Sequence, residues 1–117
     1  MRIFKTSGFA RLAKKAQIDD EALCLAISQV IQGQADDLGG GVFKKRLNGN
    51  MHRAILLTKA GEYWIFEYVF AKNKRDNIDR DELSAFRLLA KSYANLSDEI
   101  LARLIENKSF LELCHDH

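Results

Sequence analysis

Between Val42 and Phe70 the chain reads as three strands joined by two tight turns, and no other stretch restricts the fold as much. Val42 to Leu47 alternates, with Phe43, Lys45 and Leu47 on one side and Val42, Lys44 and Arg46 on the other. Asn48-Gly49 supplies two residues that accept positive φ, the mark of a tight hairpin. A second strand is expected from about His52 to Thr58, after which Lys59-Ala60-Gly61 turns the chain back. Glu62 to Phe70 follows as a long aromatic strand. Strict alternation puts Trp64, Phe66, Tyr68 and Phe70 on one face and Tyr63, Ile65 and Val69, with Glu67 among them, on the other. Both faces are largely apolar, as in a central strand covered on at least one side by helices.

The flanking segments carry the helical period. Residues 2–6 form a short strand, and Ser7 is the expected N-cap of a helix running to about Lys15 along Phe9, Leu12, Ala13 and Ala16. Asp19 or Asp20 opens a second helix with Leu23, Ile27, Val30 and Ile31 in phase, and Gly33 stops it. Asp37-Leu38-Gly39-Gly40-Gly41 is a turn leading into the first strand of the meander. It lacks the Gly-Lys-Ser/Thr and the spacing of a phosphate or dinucleotide loop. Asp79 with Glu82 three residues on forms a capping box before Leu83, Phe86, Ala90 and Tyr93, and Ser97 starts a last helix through Ile100, Leu101, Leu104 and Ile105. The order is β-α-α-β-β-β-α with a C-terminal helical extension over 97–117. It implies an α+β fold with a small antiparallel-rich sheet and helices packed on one face.

A length of 117 residues with 47% hydrophobic content suits a single domain over 1–117 with its own core. There is no long apolar run and no apolar signal core at the N-terminus, so a cytoplasmic protein with no membrane segment is expected. Cys24 and Cys114 are isolated and form no CxxC pair or disulfide framework, so both are expected as buried or bystander thiols. The net charge is only +2, but residues 1–75 carry 13 Lys and Arg against 7 Asp and Glu, whereas 76–117 carry 5 against 9. Such a basic field favours a polyanionic partner, RNA foremost.

The basic residues that converge on the meander are the candidate site. Lys44 and Arg46 share a strand face, with Lys45 between them. His52 and Arg53 begin the next strand just across the turn, and Lys72, Lys74 and Arg75 follow the aromatic strand, which returns to this end. Together they form a phosphate-binding set, although a charge run beside a turn is also what a solvated surface looks like. RNA cleavage without a metal requires deprotonation of the 2′-hydroxyl, a cation to meet charge growing on the phosphate, and a proton for the leaving 5′-oxygen. Arg53 and Arg46 are the candidates for that charge. His52 is the candidate acid or base, with a lysine among cationic neighbours as an alternative. No metal or cofactor site is expected: His115-Asp116-His117 is a polar terminus, and Asp76, Asp79, Asp81 and Glu82 are explained by a helix start. Tyr63, Trp64 and Tyr68 are read as core aromatics.

Phe4-Lys5-Thr6, Phe9-Ala10-Arg11, Asp37-Leu38-Gly39-Gly40-Gly41-Val42-Phe43-Lys44-Lys45-Arg46 and Phe70-Ala71-Lys72-Asn73-Lys74-Arg75-Asp76-Asn77-Ile78 together resemble the RelE-like branch of the RelE/ParE toxin superfamily over roughly residues 2–94. The resemblance implies the toxin of a bacterial toxin–antitoxin pair: an mRNA endonuclease that acts without metal in the ribosomal A site. Its partners would be the ribosome, mRNA and a cognate antitoxin, often of helix-turn-helix type. ParE-like relatives act on DNA gyrase instead, and a non-catalytic nucleic-acid- or antitoxin-binding member is a third alternative. In this branch the strand carrying Lys44 and Arg46 is usually followed by a longer Gly/Lys-rich loop ending in Gly-Gly-Tyr/Phe-Arg. Here only Leu47 to Arg53 remains, with Arg53 matching the closing arginine and His52 in the place of the aromatic. Residues 97–117 lie beyond the expected match, and their acidic lean suggests a shield for the basic face or a self-association element.

Overall fold

The computed structural model describes residues 1–115. Its elements are β1 (Arg2–Thr6), α1 (Ser7–Lys15), α2 (Asp20–Ile31), β2 (Asp36–Gly39), β3 (Val42–Leu47), β4 (His52–Lys59), β5 (Tyr63–Ala71), α3 (Arg80–Ala94), α4 (Asp98–Glu106) and β6 (Phe110–Leu113). The strands form one sheet in the order β2-β3-β4-β5-β1-β6, antiparallel throughout except where β1 lies parallel to β5. The α+β class and the antiparallel-rich sheet with helices packed against it are as the pattern predicts, and α1 and α2 share one of its faces.

Phe9, Ala13, Leu23 and Ile27 of these two helices bury against Ile3, Ala54, Leu56 and Phe66. Alternation sends Ile55 and Leu57 to the opposite face, where α3 packs Leu83, Phe86 and Ala90 over them together with Val42 and Phe70. On the same side α4 packs Leu101 against Phe4, Tyr63, Ile65 and Phe110. The centre of the meander is thus covered on both sides, which is why β4 and β5 carry apolar residues on both faces.

Alternation along β5 breaks at a bulge. Ile55 pairs with Tyr68 but Leu56 pairs with Phe66, leaving Glu67 without a cross-strand partner. Trp64, Phe66 and Val69 therefore pack with α1 and α2, whereas Tyr68 and Phe70 move to the α3 side, contrary to strict alternation. Glu67 turns toward α3 and accepts a hydrogen bond from the Tyr93 hydroxyl at 3.0 Å. Burial raises its carboxyl above the usual 4.5, against hydrogen bonds from Tyr93 and Thr6 that lower it.

Helix starts follow the sequence with one correction. Asp19, Asp79 and Ser97 cap α2, α3 and α4, and Asp79 with Glu82 closes a complete capping box. Thr6, not Ser7, caps α1: its hydroxyl accepts from Phe9 N at 3.0 Å, while the Ser7 N–H is drawn to Ser109 O at 3.0 Å.

Two strands were not expected. The glycine run is the turn of a β2–β3 hairpin, and Gly40 at φ +66 lies so close to α3 that a Cβ there would meet Arg87 Cγ at 2.8 Å. Arg87 donates to Gly39 O at 3.3 Å and to Leu38 O, tying this hairpin to α3. Residues 97–117 are not helical throughout, because β6 pairs antiparallel with β1. β6 is at the edge opposite β2, with β4, β5 and β1 between it and β3, so this strand of the acidic extension does not cover the basic strand.

The same strand corrects the expectation of free thiols. β6 carries Cys114 over α2, where it is joined to Cys24 by a disulfide with the Cα atoms 5.6 Å apart and a sequence separation of 90. Among the described residues, no helix is long and apolar enough to cross a membrane.

Candidate nucleic-acid interface

The β3–β4 hairpin places Arg46 directly opposite Arg53, two register steps from Lys44 opposite Ile55. All three alternate to the α3 side of the sheet, toward the end at which the hairpin turns. Arg46 is exposed and, among the described residues, has no carboxylate within ion-pair distance. Arg53 donates to Asn50 O at 3.0 Å and His52 O at 3.1 Å, so its own turn orients the guanidinium without neutralising it. Lys44 differs, because its ammonium stands 4.0 Å from the Asp36 carboxylate across the β2–β3 pair.

His52 is not brought onto this face. It pairs with Leu47, one residue out of phase with Arg53, and its Nδ1 lies 3.2 Å from Asn48 Nδ2. At the same end of the sheet the Lys72 N–H donates to Met51 O at 2.9 Å, pulling the segment after β5 against the hairpin turn. His52 and Lys72 then line a groove of about 530 Å³ with Asn50, Asn73 and Asp76. Lys74 is exposed on the following turn.

Arg75 and Lys45 are otherwise engaged. Arg75 lies over the Phe70 ring with its Cζ 5.4 Å from the centroid and forms a two-point ion pair with Glu82. The Arg75 hydrogen bond, with help from the Asp79 backbone N–H, holds the Glu82 carboxyl below its ordinary 4.5. Lys45 is on the α2 side, where its ammonium donates to Gln34 O at 2.9 Å. Burial, followed by the neighbouring Arg46 charge, lowers its pKa.

Two groups therefore meet at one end of the sheet. Arg46, Arg53 and the partly neutralised Lys44 face the α3 side, while His52 and Lys72 flank the adjoining groove. Such a pair of arginines can hold a phosphate and meet charge on it. Sequence reasoning missed the carboxylates that decide which cations are neutralised. Asp36 lies behind the glycine turn, and Glu82 reads in the sequence as part of a helix start. The signal for Asp36 was available: a strand paired across the turn brings it opposite Lys44. Among the described residues, no group of three or more His, Cys, Asp or Glu side chains is placed to hold a metal ion. His115 lies at the β6 end with Nε2 3.0 Å from Glu112 O, and Asp116 and His117 lie outside the described residues.

Residues 1–113 match the family model described as RelE toxin of RelE / RelB toxin-antitoxin system. The match takes in α4 and β6, so the acidic segment is part of the family pattern rather than an addition beyond it. No curated protein and no solved structure matched the chain.

Proposed function

Because this chain belongs to the RelE toxin family of RelE/RelB toxin–antitoxin systems, we propose that it is a ribosome-dependent, metal-independent mRNA endonuclease that inhibits translation in the cytoplasm and is restrained by a cognate antitoxin. The observation that carries this reading is the Arg46–Arg53 pair, two like charges held directly opposite each other where the sheet ends. Like charges in that register work against folding, so a bound polyanion gives the pair a purpose that stability does not.

In this reading the RNA backbone enters at the hairpin end, with a phosphate between Arg46 and Arg53 and its neighbours near Lys44, Lys72 and Lys74. The 2′-oxygen attacks phosphorus as its proton passes to a base, and the 5′-oxygen leaves with a proton from an acid. The product ends are a 2′,3′-cyclic phosphate and a 5′-hydroxyl. Arg46 and Arg53 meet the charge on the equatorial oxygens. His52 is turned to the opposite face from these arginines, so in this reading it lines the adjoining groove along which the RNA chain continues. Arg75 acts through its stack on Phe70 and its pairing with Glu82, orienting the segment that carries Lys72 and Lys74.

Primer extension on a reporter mRNA after brief induction tests the reading, with translated and untranslated copies compared. Cuts confined to the translated copy are expected. Intact mRNA alongside folded, expressed protein would overturn it, and DNA-damage signalling in the same cells would point to gyrase.

A further inference from the structure

Two cysteines 90 residues apart in sequence are the only ones in the chain, and the fold brings them together at a single place. β6 is anchored by buried Phe110 and Leu113 and by the two-point ion pair of Arg2 with Glu112, and the disulfide adds a covalent tie just beyond its end. At its start the Ser7 N–H is bonded to Ser109 O. At its end the chain turns through Cys114 in the left-handed region, with φ 60, a conformation that costs energy for a residue with a Cβ. The bridge to Cys24 is the covalent tie at that turn. Both cysteines are only half-buried and line an open groove of about 1050 Å³ with Met1, Ile3, Leu25 and His115. A small thiol has room to reach the sulfurs there, and exposed or strained bridges are the readily reduced class.

We propose that Cys24–Cys114 is a reversible thiol–disulfide site, exchanging with a small thiol such as glutathione, that locks or releases the end of β6. One glutathione thiolate attacks a bridge sulfur, giving a mixed disulfide and one protein thiolate, which takes up a proton. A second glutathione thiolate attacks the mixed disulfide, releasing glutathione disulfide and the second protein thiol. The net change is one protein disulfide and two glutathiones to two thiols and one glutathione disulfide, and excess glutathione disulfide drives the reverse. Once the bridge opens, Cys114 can leave its left-handed conformation, and the last residues of β6 separate from β1 at the Ile3–Leu113 pair. This inference stands on the placement of the cysteines and is independent of the nuclease reading.

The test uses the full chain in glutathione buffers from fully reduced to fully oxidised, with free thiols trapped by alkylation and backbone hydrogen exchange measured at each end point. The expected result is a reversible two-electron transition between two free thiols and one intramolecular bridge. Amides of Leu111 to His115 should exchange about tenfold faster in the reduced state, while those of β3 and β4 stay unchanged. In Cys114→Ser the redox dependence of that exchange should vanish. Two glutathione adducts in place of a bridge, thiols that stay free under oxidising conditions, or equal exchange at 111–115 in both states of the wild-type chain would each overturn the proposal, whether or not the variant folds.

Discussion

Replacing Arg46 with alanine should move folding and activity in opposite directions. Arg46 stands opposite Arg53, and among the described residues it makes no side-chain hydrogen bond or ion pair. Two unit charges about 6 Å apart in a water-like dielectric repel by about 0.7 kcal/mol. That lies inside the ~0.2–1 kcal/mol range of cross-strand pair effects. Alanine removes the repulsion and gives up some stem packing and strand preference, so the variant should match the wild type or exceed it by up to about 0.5 kcal/mol at low salt. The gain should fade at about 1 M salt, where the screening length is near 3 Å. Cleavage should fall about 10²- to 10³-fold, as when one donor aimed at transition-state charge is lost. Urea unfolding at low and high salt gives the first quantity, and single-turnover cleavage on programmed ribosomes gives the second. A variant at least 1 kcal/mol less stable than wild type would mean that Arg46 is a structural residue. One that cuts within about threefold of wild type would remove it from the chemistry.

Arg53→Ala should lose toxicity while remaining folded, its two hydrogen bonds to turn carbonyls contributing about 1 kcal/mol together, and Arg53→Lys should stay well below wild type because an ammonium lacks the planar fork; growth arrest and circular dichroism check both. Glu67→Gln should stabilise the protein at pH 7, since a carboxyl whose folded pKa is raised favours folding fully below the ordinary 4.5 and loses that contribution as pH rises through the folded value; urea unfolding at pH 7 and about pH 4 should show the gain only at the higher pH. Gly41→Ala should lower stability by about 1–3 kcal/mol, because φ is +83 and the new Cβ would lie 3.1 Å from Thr58 O; denaturant midpoints measure it, and an unchanged midpoint would show that the turn relaxes freely.

Where local chemistry decided a feature, it was legible in the sequence. The alternation of Val42–Leu47, the Asn48-Gly49 turn and the Asp79/Glu82 box each contain their own instruction, and each is where the pattern put it. What escaped depends on partners distant in the chain. The bulge at Glu67 shifts the phase of β5 so that Val69 joins Phe66 under α1 and α2 while Tyr68 and Phe70 pack under α3, which no window along β5 reveals. β6 has four residues and no alternation to speak of, and it is a strand only because β1 offers it an edge. The disulfide follows from that pairing. The site divides in the same way: the shared face of Lys44 and Arg46 follows from period two, whereas the loss of Lys44 and Arg75 to Asp36 and Glu82 depends on tertiary placement. His52 was grouped with Arg53 by nearness in sequence, yet neighbours in a strand point to opposite faces.

The short β3–β4 connection bears most directly on which lysines matter. The resemblance implies a longer loop with glycines and a lysine that would touch phosphate. Here Asn48, Gly49 and Asn50 all take positive φ, making a compact turn whose Met51 carbonyl accepts the Lys72 N–H. That bond carries Lys72 and Lys74 to the hairpin end, where they can supply the charge that the missing loop does not. If they do, Lys72→Ala/Lys74→Ala should weaken binding to programmed ribosomes and flatten its salt dependence. Two lost contacts to single-stranded RNA correspond to a change of about 1.4 in the slope of log K against log salt. Lys45→Ala is the control, because Lys45 faces α2 and donates to Gln34 O, and its slope should match wild type. A double variant with the wild-type slope would show that neither lysine contacts phosphate, and Arg46 and Arg53 would then have to hold the backbone at this end without them.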